Sequence, residues 1–505
     1  MQTGVIPSGR AAIAGAIGVG LALGLGELLA GVFPDSIPSP ISSIGNQVVD
    51  RTPGDVERWA IDVFGTFDKP ALLIGTAIIA LAIGAWVGVG AVRRKARPWP
   101  WFLGFAGLGV AASLSEPERS VPAVILAGGL SALLGLAGLA LLLGSAQPRT
   151  PTDGLAQNPG RRRFLVGAAG ASGLALFSGL WGRRLAQPTI ATAPLVSGPA
   201  PVLPAGAELG IPGLVPIVVP NRDFYRIDTA FTPPRVEVDN WRLTIAGMVD
   251  QPLGFDLAEL AAMDQVEEYV TLSCVSNEVG GDLVGNARWR GVRLTELLER
   301  AGVQAGATQV VGRSVDGWTA GFPTEVVFDG REPLLALEMN GEPLPPNHGF
   351  PARLVVPGLY GYVSATKWLK EIELTRWEDF DGYWIPRGWS KEGPIKTQSR
   401  IDLPVDGKQF ALGELVVAGV AWAPIKGIER VEVRLDQGPW IPTTLSTPLS
   451  SKAWVQWTTT LEPTAGEHTL EVQATDGTGY TQTAERSRPD PNGASGHHTV
   501  SFKVK

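Results

Sequence analysis

The chain is poor in the residues that build most metal and disulfide sites. Its 505 residues include one cysteine and four histidines. A single cysteine cannot form a disulfide within the chain, and it excludes a haem attached through CxxCH, a zinc ribbon and a cysteine-ligated iron–sulfur cluster. The first histidine is His348, so no histidine metal ligand precedes it.

Charged residues are also scarce. They make up 18% of the chain, against 45% hydrophobic residues, and the mean hydropathy is +0.13. This composition excludes a wholly disordered chain and argues against a wholly soluble one, and the length suggests two or three domains. The net charge of −7 is unevenly divided, with +5 in residues 1–185 and −12 in the remainder. The acidic remainder argues against nucleic acid as a partner.

Five long apolar runs occupy the first third of the chain. A transmembrane helix needs about 20 mostly apolar residues, and the small residues that dominate these runs allow close helix packing in lipid. We therefore predict an all-α membrane domain over residues 1–185. The predicted spans are approximately 11–33, 70–92, 99–115, 121–145 and 164–182.

The cations of this region cluster in two of the loops between the runs. Loops 93–98 and 146–163 each contain four Lys or Arg residues, whereas loop 34–69 is net acidic. The positive-inside rule then places the N-terminus and both basic loops in the cytoplasm. Five spans put everything after them on the extracytoplasmic side of the cell membrane, as part of a multi-pass protein.

Glu27 is the only ionisable residue well inside a predicted span. A carboxylate in that position is a functional-site candidate by default. The preferred alternative is a glutamate near a helix end that reaches the interface. No histidine lies in any span, so a bis-histidine haem is excluded there. We expect the membrane domain to be an anchor or a docking surface.

A basic motif opens the fifth run. Arg161-Arg162-Arg163-Phe164-Leu165 resembles a twin-arginine export signal, here internal in the chain. Such signals belong to proteins that are exported folded, often around a cofactor loaded in the cytoplasm. An ordinary basic stop at a helix end is the alternative interpretation.

The pattern of the chain changes after residue 185. Residues 186–220 form a Pro/Ala-rich segment, which predicts an extended linker. Residues 221–404 interleave short strands and helices without a regular βαβ period, which indicates an α+β domain. Residues 411–505 alternate in short strands separated by turns, which predicts an all-β sandwich of immunoglobulin size.

Cys274 follows an apolar, β-rich run and precedes a polar, glycine-containing loop. A strand that ends in one thiol and an irregular loop presents a soft metal ligand at the rim of a pocket. The alternative interpretation, which is more common for a single cysteine, is a buried thiol that binds no metal. A Cys–His pair with His348, the only histidine of this domain, also stays open at this point.

Six motifs follow one another from residue 221 onward, and together they resemble the sulfite oxidase family. That family joins an oxidoreductase molybdopterin-binding domain to an immunoglobulin-like C-terminal domain, which corresponds here to residues 221–404 and 411–505. The motifs are Asn221-Arg222-Asp223-Phe224-Tyr225-Arg226, WRLTIAG at 241–247, Thr271-Leu272-Ser273-Cys274, WRGV at 289–292, EMNGEPLPPNHGFPARLVVPG at 338–358, and Lys367-Trp368.

The resemblance implies a cofactor and the residues that hold it. It implies molybdenum bound to one molybdopterin per chain, with Cys274 as the metal ligand. It also implies catalytic roles for Cys274, Tyr225 and Arg226. The cofactor-binding positions that it implies are Asn221, Tyr225, Arg226, Cys274, Asp316, His348, Arg353, Ala365, Thr366 and Lys367.

The implied reaction is oxygen-atom transfer at an oxo-molybdenum centre on a small S- or N-oxo substrate. A separate electron-transfer partner or the quinone pool takes part, because the chain has no haem domain, and the family's C-terminal domain allows a homodimer. Two departures argue against dianionic sulfite: Leu337 replaces a tyrosine, and Glu278 replaces an arginine of the cysteine loop. A methionine sulfoxide reductase-like repair enzyme and a cofactor-free envelope binding module are the alternatives.

Overall fold

A computed structural model describes residues 6–53, 56, 59–60, 63–64, 67–93, 97–117, 119–147, 159–186 and 202–505. The chain forms two compact units, residues 1–189 with 230–235, and residues 190–229 with 236–505. Arg94, Lys95 and Arg149 of the basic loops and residues 187–201 of the predicted linker lie outside the described residues.

The first unit is helical, and all five predicted spans form helices. Four of them are long and apolar enough to cross a membrane. The fourth helix, which holds the predicted span 99–115, has 16 residues. At about 24 Å it is shorter than the roughly 30 Å hydrocarbon core of a bilayer. The helices are α1 (Ser8–Val32), α2 (Pro40–Arg51), α3 (Asp68–Val92), α4 (Pro98–Ser113), α5 (Val121–Ala146) and α6 (Pro159–Leu185).

Helix α1 lies at the centre of this unit and contacts α3, α5 and α6 through glycines. A Cβ atom added at Gly15 would lie 2.0 Å from the Gly84 carbonyl oxygen of α3. A Cβ atom at Gly31 would lie 2.1 Å from the Gly182 oxygen of α6. The helices approach this closely only because both sides lack side chains, which agrees with the small-residue packing expected in lipid.

The same contacts fix the directions of the helices. Gly24 faces Ala175 and Gly31 faces Gly182, so α6 runs parallel to α1. In contrast, residue numbers fall along α3 and α5 as they rise along α1, so these two helices are antiparallel to it. Residues 8 and 185 therefore lie at opposite ends of the helical unit.

Glu27 has a structural role in the helical unit. Its side chain is 4% exposed. Its carboxylate accepts hydrogen bonds from the Ser39 hydroxyl at 2.8 Å and the Ile41 backbone N–H at 3.2 Å, and it lies 3.5 Å from Arg183 Nε. Glu27 thus ties α1 to the start of α2 and the end of α6. The side chain is buried between helices, which differs from the expected glutamate reaching the interface.

The first region of the second unit is an α+β domain, as predicted. One sheet has the order β2-β1-β10-β5-β6, and a second has β3-β4-β7-β8 with β9 beside β7. Only β1 and β10 are parallel. The strands are β1 (Leu243–Gly247), β2 (Leu253–Phe255), β3 (Val266–Ser273), β4 (Val284–Arg293), β5 (Gln309–Ser314), β6 (Thr319–Pro323), β7 (Leu334–Met339), β8 (Glu342–Pro343), β9 (Arg353–Val355) and β10 (Leu369–Thr375). The helices are α7 (Leu257–Ala261), α8 (Leu294–Ala301), α9 (Glu325–Phe328) and α10 (Gly361–Ser364).

The C-terminal region is all-β, as predicted, with two sheets around one apolar core. Trp457, Val433 and Val472 are fully buried in it. The sheets have the orders β11-β13-β17-β16 and β12-β19-β18-β14-β15. The strands are β11 (Gln398–Leu403), β12 (Gln409–Phe410), β13 (Leu415–Trp422), β14 (Ile428–Leu435), β15 (Ile441–Pro442), β16 (Thr444–Leu445), β17 (Val455–Leu461), β18 (Gly466–Asp476) and β19 (His498–Val504).

Two segments differ from their predicted places. Strand β11 falls inside the range 221–404, yet it pairs with β13 of the C-terminal sheet. Its first four residues are buried, so it lacks the alternation that marked the other strands. The described part of the predicted linker, residues 202–220, is packed, because Ile217 is 1% exposed and its carbonyl oxygen accepts from Trp454 Nε1 at 2.8 Å.

We predict that Gly182→Val destabilises the helical unit. A Cβ atom there would lie 2.2 Å from the Glu27 carbonyl oxygen, so α1 and α6 must separate. Overpacking of this kind costs about 1–3 kcal/mol. Gly173→Val in the same helix is the control, because nothing lies within 4 Å of its Cβ position. Equal melting temperatures for the two variants in detergent would contradict the α1–α6 contact.

Candidate functional site

Cys274 is the first residue after β3, and its side chain is nearly buried, with 9% exposure. Its backbone N–H donates to the Leu283 oxygen at 2.9 Å, and its own carbonyl oxygen accepts from Asn277 N–H at 3.1 Å. Burial raises the pKa of the Cys274 thiol, while hydrogen bonds from Ser276 and the charge of Lys367 act in the opposite direction. The thiol is thus fixed in position, with groups nearby that favour its ionised form.

The loop that follows Cys274 is held from the C-terminal domain as well. Arg400 Nη1 donates to the Gly281 carbonyl oxygen at 3.0 Å. The His498 ring packs so closely on Gly280 that an added Cβ atom would lie 2.1 Å from it. This loop is therefore part of a rigid junction between the two domains. Glu278, which the sequence places beside the metal, is exposed on it.

Aromatic rings support the segment that begins at Asn221. Phe224 is buried, and its ring lies 5.8 Å from that of Trp289 and 5.7 Å from that of His348. Tyr225 stacks on Phe224, with the two centroids 5.2 Å apart. Trp289 comes from β4 and His348 from the turn before β9, so this packing joins distant parts of the chain.

Tyr225 interacts electrostatically with the Cys274 thiol and with the buried Arg353 cation. Burial raises the pKa of Tyr225 well above its usual value, the charge of Cys274 raises it further, and Arg353 lowers it. The phenol therefore stays protonated at neutral pH. It is a hydrogen-bond donor within electrostatic reach of both Cys274 and Arg353, and the roles predicted for these three residues stay predictions.

Arg353 is a buried guanidinium with little compensation. It is 3% exposed, donates to the His348 carbonyl oxygen at 3.2 Å, and lies 4.9 Å above the Trp289 ring. Burial lowers the pKa of Arg353 to about 10, so it remains a cation at neutral pH. Within the described ranges no carboxylate lies within ion-pair distance of it, although the charge of Asp228 acts on it from farther away and raises its pKa. A buried charge of this kind favours an anionic ligand.

Asp228 is a site residue that the sequence did not indicate. Its side chain is 4% exposed, and it accepts from Lys367 Nζ at 2.5 Å and from Arg226 Nε at 2.6 Å. Burial alone would raise the pKa of Asp228, but these two cations outweigh burial and hold it below its usual value. Burial also lowers the pKa of Lys367 to about 8. In the sequence, an acid two residues after Arg226 has no pattern that separates it from a surface charge.

His348 and Asn221 connect two chain segments of the site. His348 Nε2 lies 2.8 Å from the Asn221 carbonyl oxygen. Burial, together with the charge of Lys367, lowers the pKa of His348 to about 4, so the ring is neutral and Nε2–H donates. The Asn221 side chain donates to the Met339 oxygen and accepts from Asn340 Nδ2. Both residues are engaged by protein groups and position the site.

The remaining predicted residues line the same region. Thr366 is fully buried, and its hydroxyl has no hydrogen-bond partner within the described residues. Ala365 is 9% exposed and follows α10. Asp316 accepts from Trp318 N–H at 3.1 Å, and burial raises the pKa of Asp316. The charges of Asp228 and Lys367 also act on Asp316, which places it near the ion pair.

Parts of this chain are similar to known proteins in sequence and in fold. Residues 230–384 match the oxidoreductase molybdopterin binding domain. The chain is 35% identical to the uncharacterized oxidoreductase YuiH of Bacillus subtilis (strain 168), over 35% of this chain and 87% of that protein. It is 31% identical to the mitochondrial sulfite oxidase of Homo sapiens, over 47% of this chain and 52% of that enzyme. The match thus spans about half the length of this sulfite oxidase.

A solved structure agrees in fold. The sulfane dehydrogenase SoxCD from Paracoccus pantotrophus superposes with a TM-score of 0.50 and 24% sequence identity. The superposition covers 57% of this chain and 83% of that one. At this identity the likeness concerns the fold alone.

We predict that Asp228→Asn destabilises the second unit by about 3–5 kcal/mol, because Lys367 and Arg226 lose their buried partner. The pKa of Asp228 is lowered in the folded state. The stabilisation is therefore present above about pH 4 and is lost as the pH falls through the folded-state pKa. Asp223→Asn, in an exposed pair with Arg222, should change stability by about 0.5 kcal/mol or less. Thermal unfolding between pH 3 and 8 measures both, and equal losses would refute a buried pair.

Proposed function

The chain belongs to the sulfite oxidase family and is a molybdenum-dependent oxidoreductase with a molybdopterin cofactor, and from this premise we propose its reaction and location. It transfers an oxygen atom to or from a small S- or N-oxo substrate, outside the cytoplasm and anchored in the membrane. The observation that carries this proposal is the buried Arg353 cation, which has no carboxylate at ion-pair distance among the described residues and acts electrostatically on Tyr225, as Cys274 also does.

The residues present fit the cofactor. The phosphate of a molybdopterin needs fixed cations and hydrogen-bond donors. Arg353 is a buried cation without a carboxylate at ion-pair distance among the described residues, and the buried Thr366 hydroxyl has no hydrogen-bond partner there. We propose that Arg353, Thr366 and Lys367 hold the phosphate end, with His348 and Asn221 fixing the segment around it. Asp316 and Ala365 complete the predicted cradle.

When bound, the cofactor supplies two-electron oxygen-atom chemistry. Cys274 is the metal ligand in this proposal, and a metal-bound thiol is deprotonated. The Ser276 hydrogen bonds and the charge of Lys367 favour that ionised sulfur against the effect of burial. Tyr225 keeps its proton and donates a hydrogen bond at the site, while Arg226 holds Asp228 and so positions Lys367.

The charge around Cys274 favours a substrate of low charge over dianionic sulfite. Lys367 and Arg226 both pair with Asp228, so one carboxylate offsets part of their combined positive charge. Glu278 adds a negative charge to the exposed part of the cysteine loop. The negative charge of Glu278 near Cys274 disfavours binding of a dianion. We therefore propose a neutral or singly charged S- or N-oxide.

Electrons leave or enter through a separate partner or the quinone pool, because the predicted spans contain no histidine for a haem.

The direction of the helices supports an extracytoplasmic site. Arg93 Nη2 donates to Ser8 Oγ, so one basic loop and the start of α1 lie at the same end. Since α6 is parallel to α1, residue 185 lies at the other end. The positive-inside rule assigns the basic end to the cytoplasm.

The first test is metal analysis of the purified protein, made with the cofactor pathway intact. We expect one molybdenum per chain, and Cys274→Ser should lose turnover while circular dichroism and melting temperature stay close to wild type. A variant that keeps both metal and turnover would exclude the thiolate as the ligand. Protein without molybdenum would instead favour the envelope binding module.

The second test concerns export. The Arg161→Lys, Arg162→Lys double variant should leave the second unit inside the cell, because a twin-arginine receptor requires both arginines. Protease accessibility of residues 221–505 in intact cells, or in spheroplasts where an outer membrane is present, measures this. Arg183→Lys, Arg184→Lys is the matched control at the other end of α6. If the first double variant is exposed like wild type, the basic segment is an ordinary helix end.

A further inference from the structure

Tyr360 lies within electrostatic reach of Cys274 and outside the set of residues predicted to hold the cofactor. It precedes α10, and its neighbour Gly361 abuts the end of β3, where an added Cβ atom would lie 4.0 Å from the Ser273 carbonyl oxygen. Tyr360 is 3% exposed. Burial raises the pKa of Tyr360 to about 12, and the charge of Cys274 adds to this effect. The phenol is therefore protonated and within electrostatic reach of the thiol.

The hydroxyl of Tyr360 has a proton to donate. It accepts a long hydrogen bond from the Lys396 backbone N–H, at 3.4 Å. Across the described residues it has no acceptor for its own O–H. A buried phenol almost always donates its proton, so a missing acceptor points to a ligand or a water.

Lys396 supplies a charge next to this phenol. It is half-buried, and its Nζ donates to two neutral oxygens, Gly493 O and Asn492 Oδ1. Within the described chain it has no carboxylate at ion-pair distance, unlike Lys391 of the same segment, which pairs with Asp381 at 2.8 Å. Burial lowers the pKa of Lys396, which is the effect of an incompletely compensated cation. One of its three N–H donors has no partner described.

The C-terminal domain contacts both Tyr360 and Lys396. Gly493 lies against the Tyr360 ring, so an added Cβ atom would be 2.4 Å from the hydroxyl oxygen. The neighbouring Ala494 oxygen accepts from Gln398 Nε2 at 2.8 Å, which fixes the 492–494 loop on β11. The position of Lys396 Nζ thus depends on a rigid loop of the all-β domain.

We propose that Tyr360 and Lys396 form the substrate-binding side of the site, and that they select an S- or N-oxide that carries one negative charge. This inference rests on the proposed function and names its substrate class. Tyr360 donates a hydrogen bond to the oxygen that is transferred, and Lys396 binds a carboxylate or sulfonate of the same molecule. One cation and one neutral donor match a monoanion and leave a dianion undercompensated.

The test uses two probes that differ in one charge, methyl phenyl sulfoxide and methyl 4-carboxyphenyl sulfoxide. Turnover is followed with reduced benzyl viologen, and equilibrium binding by the thermal shift of the molybdenum-loaded protein. For Lys396→Met we expect the KM and Kd of the carboxylated probe to rise roughly 10- to 100-fold, as for loss of a hydrogen bond to a charged group. Its kcat, the metal content and the KM of the neutral probe should stay within about 3-fold.

Lys391→Met is the matched control and should alter neither probe, and Lys396→Arg should recover most of the affinity for the carboxylated one. Tyr360→Phe should lower kcat on both probes by roughly 10- to 100-fold with metal retained. Equal changes in KM for the two probes in Lys396→Met, or unchanged binding of the carboxylated one, would overturn the inference and leave the proposed function intact. A wild-type protein without molybdenum would overturn both.

Discussion

The buried guanidinium of Arg353 is the constraint around which the site is organised. Moving a cation out of water costs several kcal/mol unless a partner replaces the solvent. Here the described groups in direct contact with it are the face of Trp289 and the His348 carbonyl oxygen, both neutral, while the charge of Asp228 acts on it from beyond ion-pair distance. The packing of Phe224 on Trp289 and His348 therefore fixes the surroundings of a charge that the protein leaves available.

Two neighbouring cations differ from Arg353, because they have a carboxylate partner. Lys367 and Arg226 share the Asp228 carboxylate, which is itself almost fully buried. Asp228 offsets part of their charge, whereas Arg353 has no carboxylate at ion-pair distance among the described residues. This difference supports the proposal that the domain binds an anionic cofactor and disfavours a dianionic substrate.

Much of this organisation could be predicted from the sequence. Apolar length alone predicts the helices, and the strand before Cys274 places the thiol at a loop. Asp228 could not be predicted, because its partner Lys367 lies 139 residues away. Lys396 could not be predicted either. Its proposed role depends on the lack of a carboxylate at ion-pair distance among the described residues, which the sequence does not reveal. Strand β11 was assigned to the wrong domain because a strand buried on both faces has no period of two.

The all-β domain supports the site directly. Arg400 holds the Gly281 carbonyl oxygen, and His498 packs on Gly280, so both bear on the loop that follows Cys274. Gly493 packs against Tyr360 from the same domain. A domain that only bound a separate partner would not need to contact the loop after Cys274 with such close packing. The geometry around the thiol therefore depends on both domains being folded together, and a substitution in either one reaches the chemistry through these three contacts.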